Sequence, residues 1–276
     1  MAGGHIGAIP VPFQLAPVVV GAFLYARRAS SLARRGRPVS VGRQVWFASG
    51  LALIAGALAT PIDTIAEERL FWVHMVQHLL LGDLAAFCVV KGLTGSLLRP
   101  VLALPAVARL RGLAHPLAAL PLWAVNLYVW HVPPIYQAAL QHSGLHTLEH
   151  GLFFATGALM WAAVIEPLPG VPWFGPGWKA AYVLAVRTLG AGLANVFIWS
   201  GHSLYDWYGT PLSDQVIGGA IMFTEGSMVT LFAFAWLFLG WMAGGEARPA
   251  RRGPPPRRAP ARARSPRSAG ARGRPA

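Results

Sequence analysis

The chain has 276 residues, of which 55% are hydrophobic and only 12% charged, and its mean hydropathy is +0.48. A soluble domain is about a quarter charged, so this composition excludes an ordinary soluble fold and indicates an integral membrane protein. The formal net charge of +13 does not indicate a nucleic-acid partner. Its arginines lie beside apolar blocks or in a basic tail, a pattern that suits membrane topology and anionic lipid.

Seven apolar blocks have lengths suited to crossing a bilayer. In chain order they are 11–26, 45–62, 70–90, 117–132, 146–165, 180–201 and 215–242. Lipid offers no partner to a free backbone N–H or C=O, and the blocks are too long for barrel strands, so each is expected to be a helix. The predicted fold is therefore all-α, a polytopic bundle of seven transmembrane helices in one domain, residues 1–246. The first connection carries Arg27, Arg28, Arg34, Arg35, Arg37 and Arg43. The third carries Lys91, Arg99, Arg109 and Arg111, and the fifth carries Lys179. The second, fourth and sixth hold Arg69 with Asp63, Glu67, Glu68, Asp206 and Asp214. The basic residues alternate with the spans, which puts the N-terminus outside and the C-terminus in the cytoplasm. Residues 247–276 hold ten arginines among Pro, Ala and Gly; with no large apolar side chain they are expected to be a disordered cytoplasmic tail. No basic stretch precedes the first block, so no cleaved signal peptide is expected. The one cysteine, Cys88, excludes a disulfide within the chain and a CxxC metal motif.

On this topology, His115 falls inside. His5, His74, His78, His131, His142, His146, His150 and His202 fall outside or in the outer halves of spans. His74 and His78 are four apart on the third span and share a face. His146 and His150 repeat the spacing on the fifth span, with Glu149 between them. At 1.5 Å per residue, His78 lies about 13 Å along its helix from Arg69, and Met222 lies about 12 Å from Asp214. Two imidazoles inside a lipid-crossing helix need a use. Imidazoles and a thioether at one depth suit Cu(I). The candidate metal ligands are His74, His78, His131, His146, His150 and Met222, with Gln77 and Glu149 as supporting groups. A lone histidine at a helix end, such as His5, His142 or His202, reads instead as an interfacial residue bonded to a loop or water. Met222 by itself is more often a packing residue than a ligand. Asp63, Glu67 and Glu68 read as a solvated outer loop, and the aromatic residues at span ends, Tyr205, Trp207 and Tyr208 among them, as an interfacial belt.

Three charges sit deeper, Asp83, Arg187 and Glu225. Asp83 lies about 21 Å along its helix and Arg187 about 22 Å from the outer end of its own. Equal depth predicts an ion pair between them, serving either to lock helix packing or to conduct.

Five short motifs resemble the integral-membrane CtaG family, the caa3-type cytochrome c oxidase assembly factors. They are "HMVQHLLL", "WHVPPIYQAAL", "HTLEHGLFF", "LYDWYG" and "DQVIGGAIM", in order along residues 10–243. The resemblance implies a seven-helix, multi-pass protein of the bacterial plasma membrane that is not an enzyme. It implies oxidase subunits as partners and copper as transient cargo, with no haem. By motif, His74, Gln77, His78, His131, His146, Glu149, His150 and Met222 occupy the matching positions. Asp83 and the sequence Gly201-His202-Ser203 depart from the family pattern.

Two other readings remain. One is a transporter of copper or protons with Asp83, Arg187 and Glu225 on its inner path. The other is a redox protein with haem between imidazoles of two helices. No nucleophile–base pair supports hydrolytic chemistry, since Ser200 and Ser203 merely neighbour His202 in sequence.

Overall fold

A computed structural model describes residues 11–246; His5 and the tail 247–276 lie outside the described residues. Twelve α-helices account for nearly all of this length, and no β-strand occurs among the described residues. α1 (Val11–Arg34) and α2 (Val41–Ala59) lead to a short helix, α3 (Pro61–Glu68). The third apolar block is one long rod built of α4 (Phe71–Leu79), a π-turn at Leu80–Ala85, and α5 (Ala86–Gly92). α6 (Gly95–Leu102) and α7 (Pro105–Leu110) form the third connection. α8 (Pro116–Trp130), α9 (Pro133–Gln141), α10 (Ser143–Ile165), α11 (Pro176–Trp199) and α12 (Leu212–Glu246) complete the bundle.

Five of these are long and apolar enough to cross a membrane: α2, the rod Phe71–Gly92, α10, α11 and α12 over Leu212–Trp236. The expected seven spans also counted α1 and α8. α8 has 15 residues, about 22 Å at 1.5 Å each, short of a hydrocarbon core of about 30 Å. Joined to the segment 105–114 it would be a sixth span, bent by 85°. Pro133 and Pro134 do more than end the fourth block. They start α9, whose Tyr136 is buried.

The rod 71–92 is the centre of the bundle. It packs against α2, α10 and α12. At Gly157 of α10, an added Cβ would collide with the Gly82 carbonyl of the π-turn, so glycine is what permits the rod and α10 to touch backbone to backbone. π-turns occur frequently at functional sites, and this one follows His78 and contains Asp83.

The start of the rod is held by a distant residue. The Asp214 carboxylate accepts the Phe71 and Trp72 backbone N–H groups at 3.0 and 3.1 Å and the Thr210 hydroxyl at 2.6 Å. It therefore caps α4 from the N-terminus of α12, satisfying donors that a helix leaves free. Asp214 belongs to the buried frame rather than to a solvated loop.

Candidate metal centre

α4 and α10 face each other, so their two histidine pairs meet. One ligand atom from each of His74, His78, His146 and His150 lies within 4.8 Å of the others, and all four side chains are buried. His74 Nε2 and His78 Nε2 are 2.8 Å apart. Between α4 and α10, the Glu149 carboxylate reaches His78 Nε2 at 3.5 Å and His146 Nε2 at 4.0 Å. Glu149 is fully buried at 0% exposure.

A second ring of contacts fixes the imidazoles. His146 Nδ1 meets Glu67 Oε1 at 2.6 Å, which leaves Nε2 pointing into the cluster. His74 Nδ1 lies 3.4 Å from the Ala66 carbonyl and 3.2 Å from the Tyr208 hydroxyl, with Nε2 again toward the cluster. Outer partners of this kind set the tautomer and ring orientation of metal-binding histidines. Gln77 donates to Asp63 Oδ1 at 2.6 Å and to the Ala57 carbonyl at 3.0 Å.

Glu67, Ala66 and Asp63 all come from α3. The expected solvated loop is instead a helix that caps the imidazole cluster. Thr60 starts it, its hydroxyl accepting the Ile62 N–H at 3.3 Å, with Pro61 in the first position. The expected aromatic belt is corrected at Tyr205, Trp207 and Tyr208, whereas Trp173, Trp178 and Trp199 are exposed. The Tyr208 hydroxyl donates to the Ala66 carbonyl at 2.9 Å and pairs with the Tyr136 hydroxyl at 2.7 Å. Trp207 donates to the Glu67 carbonyl at 2.8 Å, and Tyr205 to the His131 carbonyl at 2.8 Å. The segment after α11 thus clamps α3 over the site.

The remaining expected ligands stand further off. His131 is buried, 5.9 Å from His78 between ring centroids, and its Nδ1 is engaged by the Leu127 carbonyl at 2.6 Å. Met222 lies in the apolar core with Phe71, Met75, Leu127 and Phe153. Its thioether makes no hydrogen bond to an imidazole among the described residues. His115 accepts the Leu117 N–H at 3.2 Å as the cap of α8, and His202 is exposed.

Several buried atoms of the cluster lack a hydrogen-bond partner: both Glu149 oxygens, Nε2 of His131, His146 and His150, and Nδ1 of His78. Buried polar groups are nearly always paired. Orphaned imidazole nitrogens converging on an orphaned carboxylate are what a bound cation would satisfy, so this donor set fits a metal ion.

The deeper charges form a separate group. Asp83, Arg187, Glu225 and Met222 line one cavity of about 80 Å³. The expected Asp83–Arg187 ion pair is not found among the described residues. Trp161 Nε1 donates to Asp83 Oδ1 at 2.7 Å, and Glu225 is the other partner of Asp83. Arg187 donates to the Ser227 hydroxyl at 2.6 Å and lies over the Phe223 ring at 4.3 Å. The π-turn explains the difference: Asp83 lies within it, where the wider turn changes the direction a side chain takes, so equal depth no longer means equal facing. Phe153 stacks on His78 at 4.3 Å, and Leu79, Leu127 and Met222, which line the cavity, belong to or pack against the same apolar cluster as Phe153.

An all-helical, multi-pass membrane bundle with a buried imidazole centre at one end defines the class of protein. Within that class the chain belongs to the cytochrome c oxidase caa3 assembly factor family (Caa3_CtaG), whose model matches residues 23–244. No curated protein and no solved structure matches the chain.

Proposed function

We propose that this oxidase assembly factor carries copper for the oxidase and holds it at His74, His78, His146 and His150. The observation that supports this reading is the convergence of four buried imidazoles within 4.8 Å around a fully buried carboxylate. Glu67 and Tyr208 orient His146 and His74, and Glu149 supplies negative charge to offset the cation. His131, with its free Nε2 near His78, is placed to take part as the ion enters or leaves. The donors are nitrogen and oxygen without sulfur, a set that accepts Cu(II) or Zn(II) as well as Cu(I). Expected Cu(I) selectivity rested on Met222, and the imidazoles do not need it.

The accompanying topology is seven spans in the bacterial plasma membrane, N-terminus outside, with α1 and the 15-residue α8 as the two further members. The cluster then faces the outer leaflet and an oxidase subunit receives the ion there, without enzymatic chemistry or haem. The apolar cluster that holds Leu127, Phe153 and Met222, in contact with both His78 and the inner cavity, favours a donor over a transporter, because a conducting path would need polar groups there.

The test is a copper titration of purified wild-type and His74→Ala/His78→Ala protein, with oxidase activity in membranes carrying each. The variant should lose stoichiometric binding and oxidase activity while keeping its helical content. Unchanged binding would overturn the site.

A further inference from the structure

α1 is weakly held in the bundle. Leu32 is its one buried side chain among the described residues, while Phe13, Val19, Val20, Phe23 and Leu24 are exposed. Two cavities lie along it. One, of about 450 Å³, is bordered by Arg27, Arg28, Ser31, Leu97 and Val101. The other, of about 300 Å³, is bordered by Pro17, Leu51, Ile54, Leu58, His150 and Phe154. Gly21 and Phe47 border both, so the two form one groove.

The groove has a polarity along its length. At one end stand Arg27 and Arg28, and Arg43 donates to the Leu93 carbonyl on its rim at 2.6 Å. No acidic side chain lines either part, and no Asp or Glu occurs in the chain before Asp63. Arg27 is exposed and has no partner among the described residues. Arg28 uses Nε and Nη2 on the Ser96 carbonyl, at 3.1 and 2.9 Å, which anchors α6 beside the groove. Beyond Gly21 the walls are almost wholly apolar. Arg28 and Gln14 are 14 positions apart on α1, about 21 Å at 1.5 Å per residue. One leaflet of hydrocarbon is about 15 Å thick, half of the full core.

We propose that this groove is a binding site for one acidic phospholipid, with its headgroup phosphate at Arg27 and Arg28 and an acyl chain running past Gly21 toward His150. Charge complementarity selects the headgroup, since basic pockets between transmembrane helices take anionic lipids. The apolar length beyond it accepts a hydrocarbon chain and nothing polar. The chain fills the gap that α1 leaves beside α10, and it walls the lipid side of the imidazole cluster at His150. The site does not depend on the metal reading.

The test reconstitutes the full chain in mixed phosphatidylcholine and phosphatidylglycerol bilayers, extracts it mildly and counts retained lipids by native mass spectrometry. Wild-type protein should keep one phosphatidylglycerol, enriched about tenfold over its bilayer share, as two arginine contacts allow. Arg27→Gln should reduce that enrichment severalfold. Gly21→Trp should abolish retention; a Cβ at Gly21 meets nothing within 4 Å, so the larger side chain enters the groove and not the core. Equal retention of both lipids by wild-type protein, or undiminished retention by Gly21→Trp, would overturn the proposal.

Discussion

The bundle holds two polar groups in its membrane-spanning part, one buried and one half-buried, and they are built on different plans. In the outer one, His146 and His74 are fixed from behind by Glu67, Ala66 and Tyr208, while both Glu149 oxygens and Nε2 of His146 and His150 have no hydrogen-bond partner. In the inner one, Asp83 takes the Trp161 indole and Glu225, and Arg187 takes Ser227 and Phe223. Its polar atoms are spent mostly on neighbouring side chains, with Glu225 Oε1 the one buried atom of this group that lacks a hydrogen-bond partner among the described residues. A buried polar group that answers its neighbours serves packing. One that is held in place and left unanswered serves a ligand. The contrast runs alongside burial, since the imidazoles and Glu149 are buried whereas Asp83, Arg187 and Glu225 are half-buried.

Breaking the outer group should have the largest effect on metal. His74→Ala/His78→Ala removes half of the converging imidazoles and should abolish copper binding in a titration. Glu149→Gln removes the offsetting charge but keeps the shape, so the protein should fold and bind copper far more weakly. If copper affinity is unchanged, Glu149 is not part of the site. Glu67→Gln is the next step down. It leaves all four imidazoles and loosens only the support of His146, which for such outer partners costs about 10–100-fold in affinity.

How much of this was legible follows from what each signal contains. The pairs His74/His78 and His146/His150 could be read directly, because four-residue spacing puts both members on one helix face. Long apolar runs gave the main spans for the same reason of regular geometry. The capping helix α3 was not legible, since its acidic residues read as solvated while Ile62, Ile65 and Ala66 supply an apolar side. The order Thr60-Pro61, a cap followed by proline at the first helical position, was the signal available. Tyr205, Trp207 and Tyr208 read as a lipid belt because span-end aromatics usually are one. Only the tertiary fold shows that they reach back to Ala66, Glu67 and His131. The Asp83–Arg187 pairing failed because depth along a helix is readable from sequence, but facing beyond a π-turn is not.

Inner-group changes should disturb stability and leave metal alone. Trp161→Phe keeps an aromatic ring and deletes the donor to Asp83 Oδ1, a part-buried acceptor. An orphaned buried group costs about 1–3 kcal/mol. Thermal unfolding in detergent should therefore show a lower midpoint while copper affinity stays at the wild-type value. A matching loss of copper affinity would join the two groups into one functional unit and favour the transport reading.

The smallest effect is expected at Met222, and it sharpens the comparison most. Met222 borders the inner cavity and sits in the same apolar cluster as Phe153, the ring stacked on His78. It is thus the residue best placed to belong to either group. As a packing residue it should tolerate Met222→Leu at less than about 1.5 kcal/mol, the usual cost of a volume-conserving swap, with copper affinity unchanged. As a ligand to Cu(I) it could not, because leucine has no donor atom. Titrating the variant with Cu(I) and with Cu(II) separates the two: a loss confined to Cu(I) would bring Met222 back to the metal, whereas equal retention of both ions would leave the centre to its imidazoles and Glu149.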